Sequence, residues 1–273
     1  MGLRLHTVPA QRGFGWIRAA LALWWTRPMA FVGLFMFFLF CALGLMLVPV
    51  VGPLLGLSLV PMLTLGFVIA SKEVLQGGAV HPLQVIEGLR VPDAQRRNAQ
   101  LMLCALYGLA SIGVIELSGW VDEGLFEQWQ IAMATPGTTP EAVQALLTDP
   151  RMAQGMLVRV LAATLLSVPF WHAPALVHWG HQGAGQALFS STMALWRAKV
   201  AFTLYGLGWA ILGLGVGLPA TAAVLLLGSA QIVSVLIMPA GMVLSAVFYV
   251  SLWFSFSDSF GDDAPAPPSA LEP

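Results

Sequence analysis

Two ionisable side chains stand inside long apolar runs and are the first candidates for chemistry. Glu116 lies near the end of the run Asn98–Trp120, and Arg159 lies a similar distance inside the run Gln154–Leu176. Because a helix rises about 1.5 Å per residue, the two side chains would reach the same depth, which predicts an ion pair. Burying a charge in a bilayer is costly, so the two residues either form a structural ion pair, or are solvated at the nearby interface, or belong to a proton or solute relay.

Three histidines, His172, His178 and His181, cluster at the end of the second of these runs. Imidazole can bind a metal or haem, or change its charge near neutral pH. On an ideal helix only His178 and His181 share a face, and the glycine between them weakens that geometry. We therefore expect aromatic-rich packing here, with a weak metal, haem or pH-sensing site at His178 and His181 as the alternative.

Other signatures of catalysis or cofactor binding are missing from the sequence. It has no Walker loop, no nucleophile elbow and no paired metal-binding cysteines. Cys41 and Cys104 both fall inside apolar runs, where we expect them to pack as small hydrophobic side chains. We therefore expect a protein that is not an enzyme and binds no cofactor.

The composition indicates where the candidate residues are held. Hydrophobic residues make up 58% of the 273-residue chain and charged residues only 9%, whereas a soluble domain is roughly a quarter charged. The formal net charge of -1 leaves no basic surface for nucleic acid. The chain is therefore predicted to be an integral membrane protein whose immediate partner is lipid.

The long apolar runs, two of which contain a single charge each, predict an all-α polytopic bundle with six spans, since a helix needs about 20 apolar residues to cross a bilayer. The prolines and glycine between Val48 and Pro53 disfavour one continuous helix there. The predicted spans are Pro28–Leu47, Pro53–Ser71, Asn98–Trp120, Gln154–Leu176, and two helices between Val200 and Ser257 with a turn around Gly217–Gly228.

Basic residues are concentrated on one side of these spans. They precede the first span, fill the segment between the second and third, and separate the fourth from the fifth: Arg4, Arg12, Arg18, Arg27, Lys72, Arg90, Arg96, Arg97, Arg197 and Lys199. The other side carries an acidic loop. By the positive-inside rule both termini are expected in the cytoplasm. The acidic tail 258–273 is expected to be disordered.

A weak internal repetition divides the spans into three hairpins, at roughly 10–72, 80–181 and 185–257. The motif Leu-Tyr-Gly-Leu occurs at 106–109 and 204–207, with a partial match at 32–34. The second helix of each hairpin contains a proline: Pro61, Pro169 and Pro239. The longer spacing in the second hairpin matches an acidic insertion at 121–152. The prolines either shape packing or open a central cavity.

Each hairpin is preceded by an apolar segment at helical spacing that ends in a basic residue. The aromatic and basic residues of the first and third segments are Trp24, Trp25, Arg27, Trp196 and Arg197. Such segments are typical of helices in the headgroup plane. They either anchor the hairpins only, or form a platform that contacts lipid or a partner.

The tryptophan-rich lead-ins, paired helices and prolines resemble an uncharacterised family of proteobacterial multi-pass inner membrane proteins. They resemble more distantly the membrane domains of glycerophosphodiester phosphodiesterases, without a counterpart of the catalytic domain. The resemblance implies a six-helix topology in the bacterial inner membrane and carries no functional residues with it.

The sequence therefore predicts a non-enzymatic membrane scaffold, an accessory subunit or a lipid-contacting protein. A protein partner or a second copy would be its other partner. The alternative is a transporter of a small solute or lipid, with a site near Pro61, Pro169 and Pro239.

Overall fold

A computed structural model describes residues 3–227 and 230–261, which form helices joined by turns, without a strand in these two stretches. A 3-10 turn, Pro82–Ile86, precedes α5. In chain order the α-helices are α1 (Arg12–Thr26), α2 (Pro28–Met46), α3 (Gly52–Ser58), α4 (Val60–Leu75), α5 (Glu87–Arg90), α6 (Ala94–Asp122), α7 (Leu125–Ala134), α8 (Pro140–Thr148), α9 (Pro150–Phe170), α10 (Ala173–Gly180), α11 (Ala184–Arg197), α12 (Lys199–Leu227) and α13 (Ala230–Phe260).

Within residues 3–227 and 230–261, six helical segments are long and apolar enough to span a membrane, which confirms the all-α polytopic class. They are Pro28–Met46, Gly52–Leu75, Ala94–Asp122, Pro150–Gly180, Lys199–Ala223 and Ile237–Phe260. The turn predicted around Gly217–Gly228 is wrong for most of its length, because α12 continues through Leu227. Gly228 itself lies outside the described residues.

Two of the spans are interrupted where a proline cannot donate a backbone hydrogen bond. Pro61 stands in the first turn of α4, and the chain breaks before it at Leu59. Pro174 stands in the first turn of α10, after a break at His172. There the Ser191 hydroxyl accepts from His172 N–H at 3.0 Å and donates to Val168 O at 3.0 Å. The side chain thus satisfies backbone groups that a bilayer could not.

Both described ends of the chain lie at one end of the bundle, which we call the terminal side. His6 N–H donates to Ser259 O at 2.9 Å, close to the end of α13. The opposite end, the loop side, contains the turn between α2 and α3 together with α7 and α8 of the acidic insertion.

The three lead-in segments differ from one another in the structure. Helix α1 packs against α12 and α13, so Trp16 and Ile17 are buried and α1 is part of the bundle. The second segment is the 3-10 turn followed by α5, and Leu83 stays half exposed. The third, α11, buries Ala187 and Ala194 against its neighbours. Only α1 and α11 have comparable lengths.

The motif residues behind the proposed repeat have different surroundings. Gly108 is buried against Ser58 and Leu54 of α3, whereas Gly206 and Gly33 are exposed with open space beside them. The threefold repeat therefore remains a prediction from the sequence.

A line of buried serines on α13 binds the core together. Ser255 contacts His172 Nε2 at 3.1 Å and accepts from Trp171 Nε1 at 3.3 Å, while Ser251 lies 2.5 Å from the Tyr205 hydroxyl. Because these hydroxyls are buried in apolar surroundings, their hydrogen bonds fix how α13 meets α10 and α12.

The acidic tail begins later than the sequence predicted. Residues 258–260 belong to α13, and Asp258 binds Arg12 and Trp16 of α1. A partly buried carboxylate with two donors extends the helix beyond the predicted boundary. Residues 262–273 of the predicted disordered tail lie outside the described residues.

Candidate functional site: a charged cavity on the terminal side

The cavity that brings most polar chemistry together lies on the terminal side and has a volume of about 590 Å³. We call it the terminal cavity. It is bounded by the last turn of α4, the 3-10 turn with α5, and the end of α10. Its polar and aromatic lining residues are Lys72, Glu73, Gln76, His81, Gln84, Glu87, Arg90, His178 and Trp179.

Gln84 fixes the wall made by the 3-10 turn. Its side chain is buried, donates to Glu73 Oε2 at 2.5 Å and accepts from the His81 N–H at 2.9 Å. Gly66 of α4 lets this wall approach closely, since a Cβ there would lie 2.8 Å from Val85 Cα. The turn is therefore held against α4 by both packing and a hydrogen bond to a carboxylate.

The opposite wall is the end of α10, held by α6. Arg96 Nη1 donates to His178 O at 3.2 Å, and Gln100 Nε2 donates to Pro174 O at 2.7 Å. Asp93 caps α6 by accepting from Gln95 N–H at 2.9 Å, and this hydrogen bond lowers the pKa of the Asp93 carboxyl. Helix α6 thus presents Arg96 in a fixed orientation.

Lys72 is the central cation of the terminal cavity. Its ammonium lies 4.6 Å from the ring centre of Trp179 and 5.8 Å from that of Trp253. In the described part of the chain it forms no ion pair with a carboxylate. Contact with two aromatic faces holds a cation without neutralising it, so Lys72 can still bind an anionic group.

The carboxylates of the cavity are not fully occupied. Glu87 lies 3.5 Å from Arg90 on the same short helix, and this contact is exposed. Glu73 accepts a hydrogen bond at Oε2 from the neutral side-chain amide of Gln84. The buried Nδ1 of His178 has no hydrogen-bond partner in the stretches described. The cavity lining therefore offers two cations and two carboxylates to a ligand that carries both charges.

A second, more open cavity of about 350 Å³ lies between α12 and α13. Trp209, Phe248 and Tyr249 form most of its wall, with Leu244 and Ser245. Its aromatic lining and small polar surface are typical of a groove that accommodates apolar groups.

Arg159 does bind a carboxylate, but the predicted partner Glu116 is wrong. Its Nη2 lies 3.8 Å from Oδ2 of the fully buried Asp122, and its Nε donates to Ser118 Oγ at 2.9 Å. Its guanidinium also lies 3.9 Å from the ring centre of Phe126. Glu116 is exposed on another face of α6.

The three prolines predicted to frame a cavity have different environments. Pro61 is buried, Pro169 is half-buried one residue before the end of α9, and Pro239 is exposed within the continuous α13. None of them lines either of the two cavities described above. The prediction of three equivalent kinks around one cavity is wrong, because Pro61 starts a helix and Pro169 nearly ends one.

The predicted lipid-contacting residues are divided by the structure. Trp25 and Trp196 are each 69% exposed, and Arg27 and Arg197 are exposed as well. Trp24 is only 7% exposed, so its prediction as a lipid contact is wrong. Because neighbouring residues of a helix point about 100° apart, Trp24 packs inside the bundle while Trp25 lies on its surface.

The histidines do not form a metal-binding cluster in the described stretches. His172 is buried among aromatic rings, and His178 stacks edge-to-face on Trp179 at 5.2 Å, as aromatic packing predicts. Helix α10 ends at Gly180, and His181 follows it in a left-handed conformation with φ of 52°. His178 and His181 therefore do not share a helix face, contrary to the prediction.

Sequence reasoning placed Lys72 only among the basic residues at a span boundary and did not single out Glu73, Gln84 or Trp179. The available signal was the pair of adjacent opposite charges, Lys72 and Glu73, followed by the glycines Gly77 and Gly78 at the end of the second span. That signal cannot show which distant helix closes the cavity.

Comparison with known proteins decides the family. A probable inner membrane protein of Burkholderia thailandensis is 32% identical over 270 residues, which cover 97% of each chain. The chain belongs to the family of that protein. No family model and no solved structure matches the chain. With its six apolar helices, it is a multi-pass protein of the inner membrane.

Proposed function

We propose that this inner membrane protein is a non-enzymatic accessory protein that contacts lipid on its terminal side and organises lipid or a protein partner there. The terminal cavity carries the proposal. It places charged side chains beside Trp179 and Trp253, at the ends of membrane spans where tryptophan and lysine meet lipid headgroups.

The exposed residues on the terminal side support the same role. Trp25 with Arg27 precedes the first span, and Trp196 with Arg197 precedes the fifth. An aromatic ring beside a basic group suits the boundary between apolar chains and headgroups. The more distant resemblance to the membrane domains of glycerophosphodiester phosphodiesterases stays a prediction that fits a lipid-contacting role.

We also propose that the terminal side faces the cytoplasm. It carries most of the exposed basic residues, whereas α7 and α8 carry acidic ones. A reporter that is active only in the cytoplasm, fused after Pro273, should be active, and the same reporter in the loop between α7 and α8 should be inactive. The reverse pattern would overturn this orientation.

The proposed role is tested by extracting the protein from its membrane in native lipid particles and identifying what accompanies it. Retained lipid, together with a defined partner protein or a second copy, is the expected result. A Trp196→Ala, Arg197→Ala double variant should retain less lipid, while Leu218→Ala, an exposed apolar change within a span, should not. A monomer free of both partner and retained lipid would contradict the proposal.

The transporter alternative has less support. Its predicted site required Pro61, Pro169 and Pro239 around one cavity, and these residues are dispersed.

A further inference from the structure

The terminal cavity has the dimensions and position of a site for one lipid headgroup. Its volume of about 590 Å³ lies within the usual range for small-molecule sites, roughly 300–1,000 Å³. It opens beside Ile69 and Leu83, and Leu83 is half exposed. A headgroup inside the cavity could therefore leave its acyl chains along an apolar edge.

The charges inside the cavity balance one another. Lys72 and Arg90 supply two cations, and Glu73 and Glu87 supply two carboxylates. A site for an anionic headgroup would be expected to carry an excess of positive charge, because the carboxylates would repel the phosphate. Balanced charge favours a ligand that brings one positive and one negative group.

The positions of the unoccupied groups match such a ligand. Lys72 lies against Trp179 with its charge free to bind a phosphate. In the described residues Glu73 accepts a hydrogen bond only at Oε2, which leaves Oε1 for a ligand. A primary ammonium needs a hydrogen-bond acceptor of this kind, and Glu73 lines the same cavity as Lys72.

We infer that the terminal cavity binds the headgroup of a phosphoethanolamine lipid, with Lys72 binding the phosphate and Glu73 binding the ammonium. The two charges of this headgroup are separated by only two methylene groups, so one cavity can hold both. This inference rests on the proposed lipid-contacting function and adds the class of lipid to it.

The test uses the full chain in nanodiscs that contain equal amounts of phosphatidylethanolamine and phosphatidylglycerol, followed by native mass spectrometry. The wild type should retain one phosphatidylethanolamine in preference to phosphatidylglycerol. Glu73→Gln should weaken retention of phosphatidylethanolamine about tenfold, as expected for one lost charge-assisted hydrogen bond. It should increase retention of phosphatidylglycerol, because one carboxylate fewer repels its phosphate. Lys72→Met should weaken retention of both, since both carry the phosphate.

Two controls separate binding from folding. Glu116→Gln removes an exposed carboxylate on α6 and should change neither lipid. The thermal unfolding midpoint of each variant shows whether it folds. If Glu73→Gln does not fold, the wild type is compared instead in nanodiscs of phosphatidylethanolamine and phosphatidylcholine, whose quaternary ammonium cannot donate a hydrogen bond to Glu73. Phosphatidylcholine should then be retained less, and equal retention of the two lipids would overturn the inference.

Three results would overturn the inference: preferred retention of phosphatidylglycerol, equal retention in wild type and Glu73→Gln, or displacement of the lipid by soluble phosphoethanolamine at equal concentration. The last result would identify a free solute as the ligand. The proposed function fails separately, when Trp196→Ala, Arg197→Ala leaves lipid retention unchanged and no partner accompanies the protein.

Discussion

Trp16 Nε1 donates a hydrogen bond of 2.7 Å to Asp258 Oδ2, the same carboxylate oxygen that Arg12 Nε reaches at 2.6 Å. Arg12 and Trp16 lie one turn apart on α1, and Asp258 is near the end of α13. This carboxylate therefore joins α1 to α13. Its hydrogen bond also raises the pKa of the Arg12 guanidinium, so Arg12 stays charged throughout the accessible pH range.

The first prediction concerns this contact between α1 and α13. Asp258→Asn should lower the free energy of unfolding by about 1.5–3 kcal/mol, the usual range for a hydrogen bond to a charged group. Thermal unfolding of the purified protein in detergent measures the change. Arg12→Gln should act in the same direction, whereas Arg18→Gln, an exposed arginine on the same helix, should not. Equal effects of the two arginine variants would contradict the assigned role of Asp258.

The second prediction concerns the ion pair on the loop side. Arg159→Gln leaves Asp122 fully buried without its cation and should destabilise the protein by a few kcal/mol, because an uncompensated buried charge costs about 3–5 kcal/mol. Glu116→Gln should leave stability within about 0.5 kcal/mol, as for most exposed positions. Unfolding in mixed micelles of increasing denaturing detergent measures both. A larger loss of stability in Glu116→Gln would support the Glu116–Arg159 ion pair expected from the sequence.

The same two carboxylates show what a sequence can and cannot predict. The long apolar runs predicted the number of spans and the depth of Arg159, because hydrophobic length is a local property. Ser118 and Asp122, four residues apart, share the face of α6 that meets α9, and Glu116 is rotated about 200° from Ser118. The depth of a residue along the helix could not show whether Glu116 or Asp122 pairs with Arg159, since the face of α6 that packs against α9 depends on the whole bundle.

The terminal cavity shows the same limit for the candidate site. The basic residues at the span ends were visible in the sequence, and so were the tryptophans. The approach of Trp179 and Trp253 to Lys72 depends on three spans that are far apart in the chain. No local pattern encodes that approach, so the cavity could not be predicted from spacing.

The third prediction concerns the close approach of α1 to α12. A Cβ on Gly13 would overlap the backbone of Ala201, whereas a Cβ on Gly15 would meet open space. Gly13→Ala should therefore destabilise the protein by roughly 1–3 kcal/mol through overpacking. Gly15→Ala should be neutral or stabilising by up to about 1 kcal/mol, because alanine favours the helix. The thermal unfolding midpoint should fall in Gly13→Ala and should stay the same or rise in Gly15→Ala. Equal shifts in the two variants would show that the helices do not meet at Gly13.

The fourth prediction concerns pH and the start of α9. Asp149 caps this helix, and hydrogen bonding to Arg151 lowers the pKa of the Asp149 carboxyl below its ordinary 3.8. A carboxyl with a lowered folded pKa stabilises the fold at pH above its unfolded pKa, and that contribution disappears as pH falls through the lower folded value. Hydrogen exchange at the α8–α9 junction, corrected for intrinsic rates, should therefore accelerate only below about pH 4.

Asp149→Asn keeps a capping side chain without the charge, so its exchange should show no such step. A step that persists in this variant would assign the effect to another group, and protection that does not change with pH in the wild type would show that the charge of Asp149 does not hold the junction.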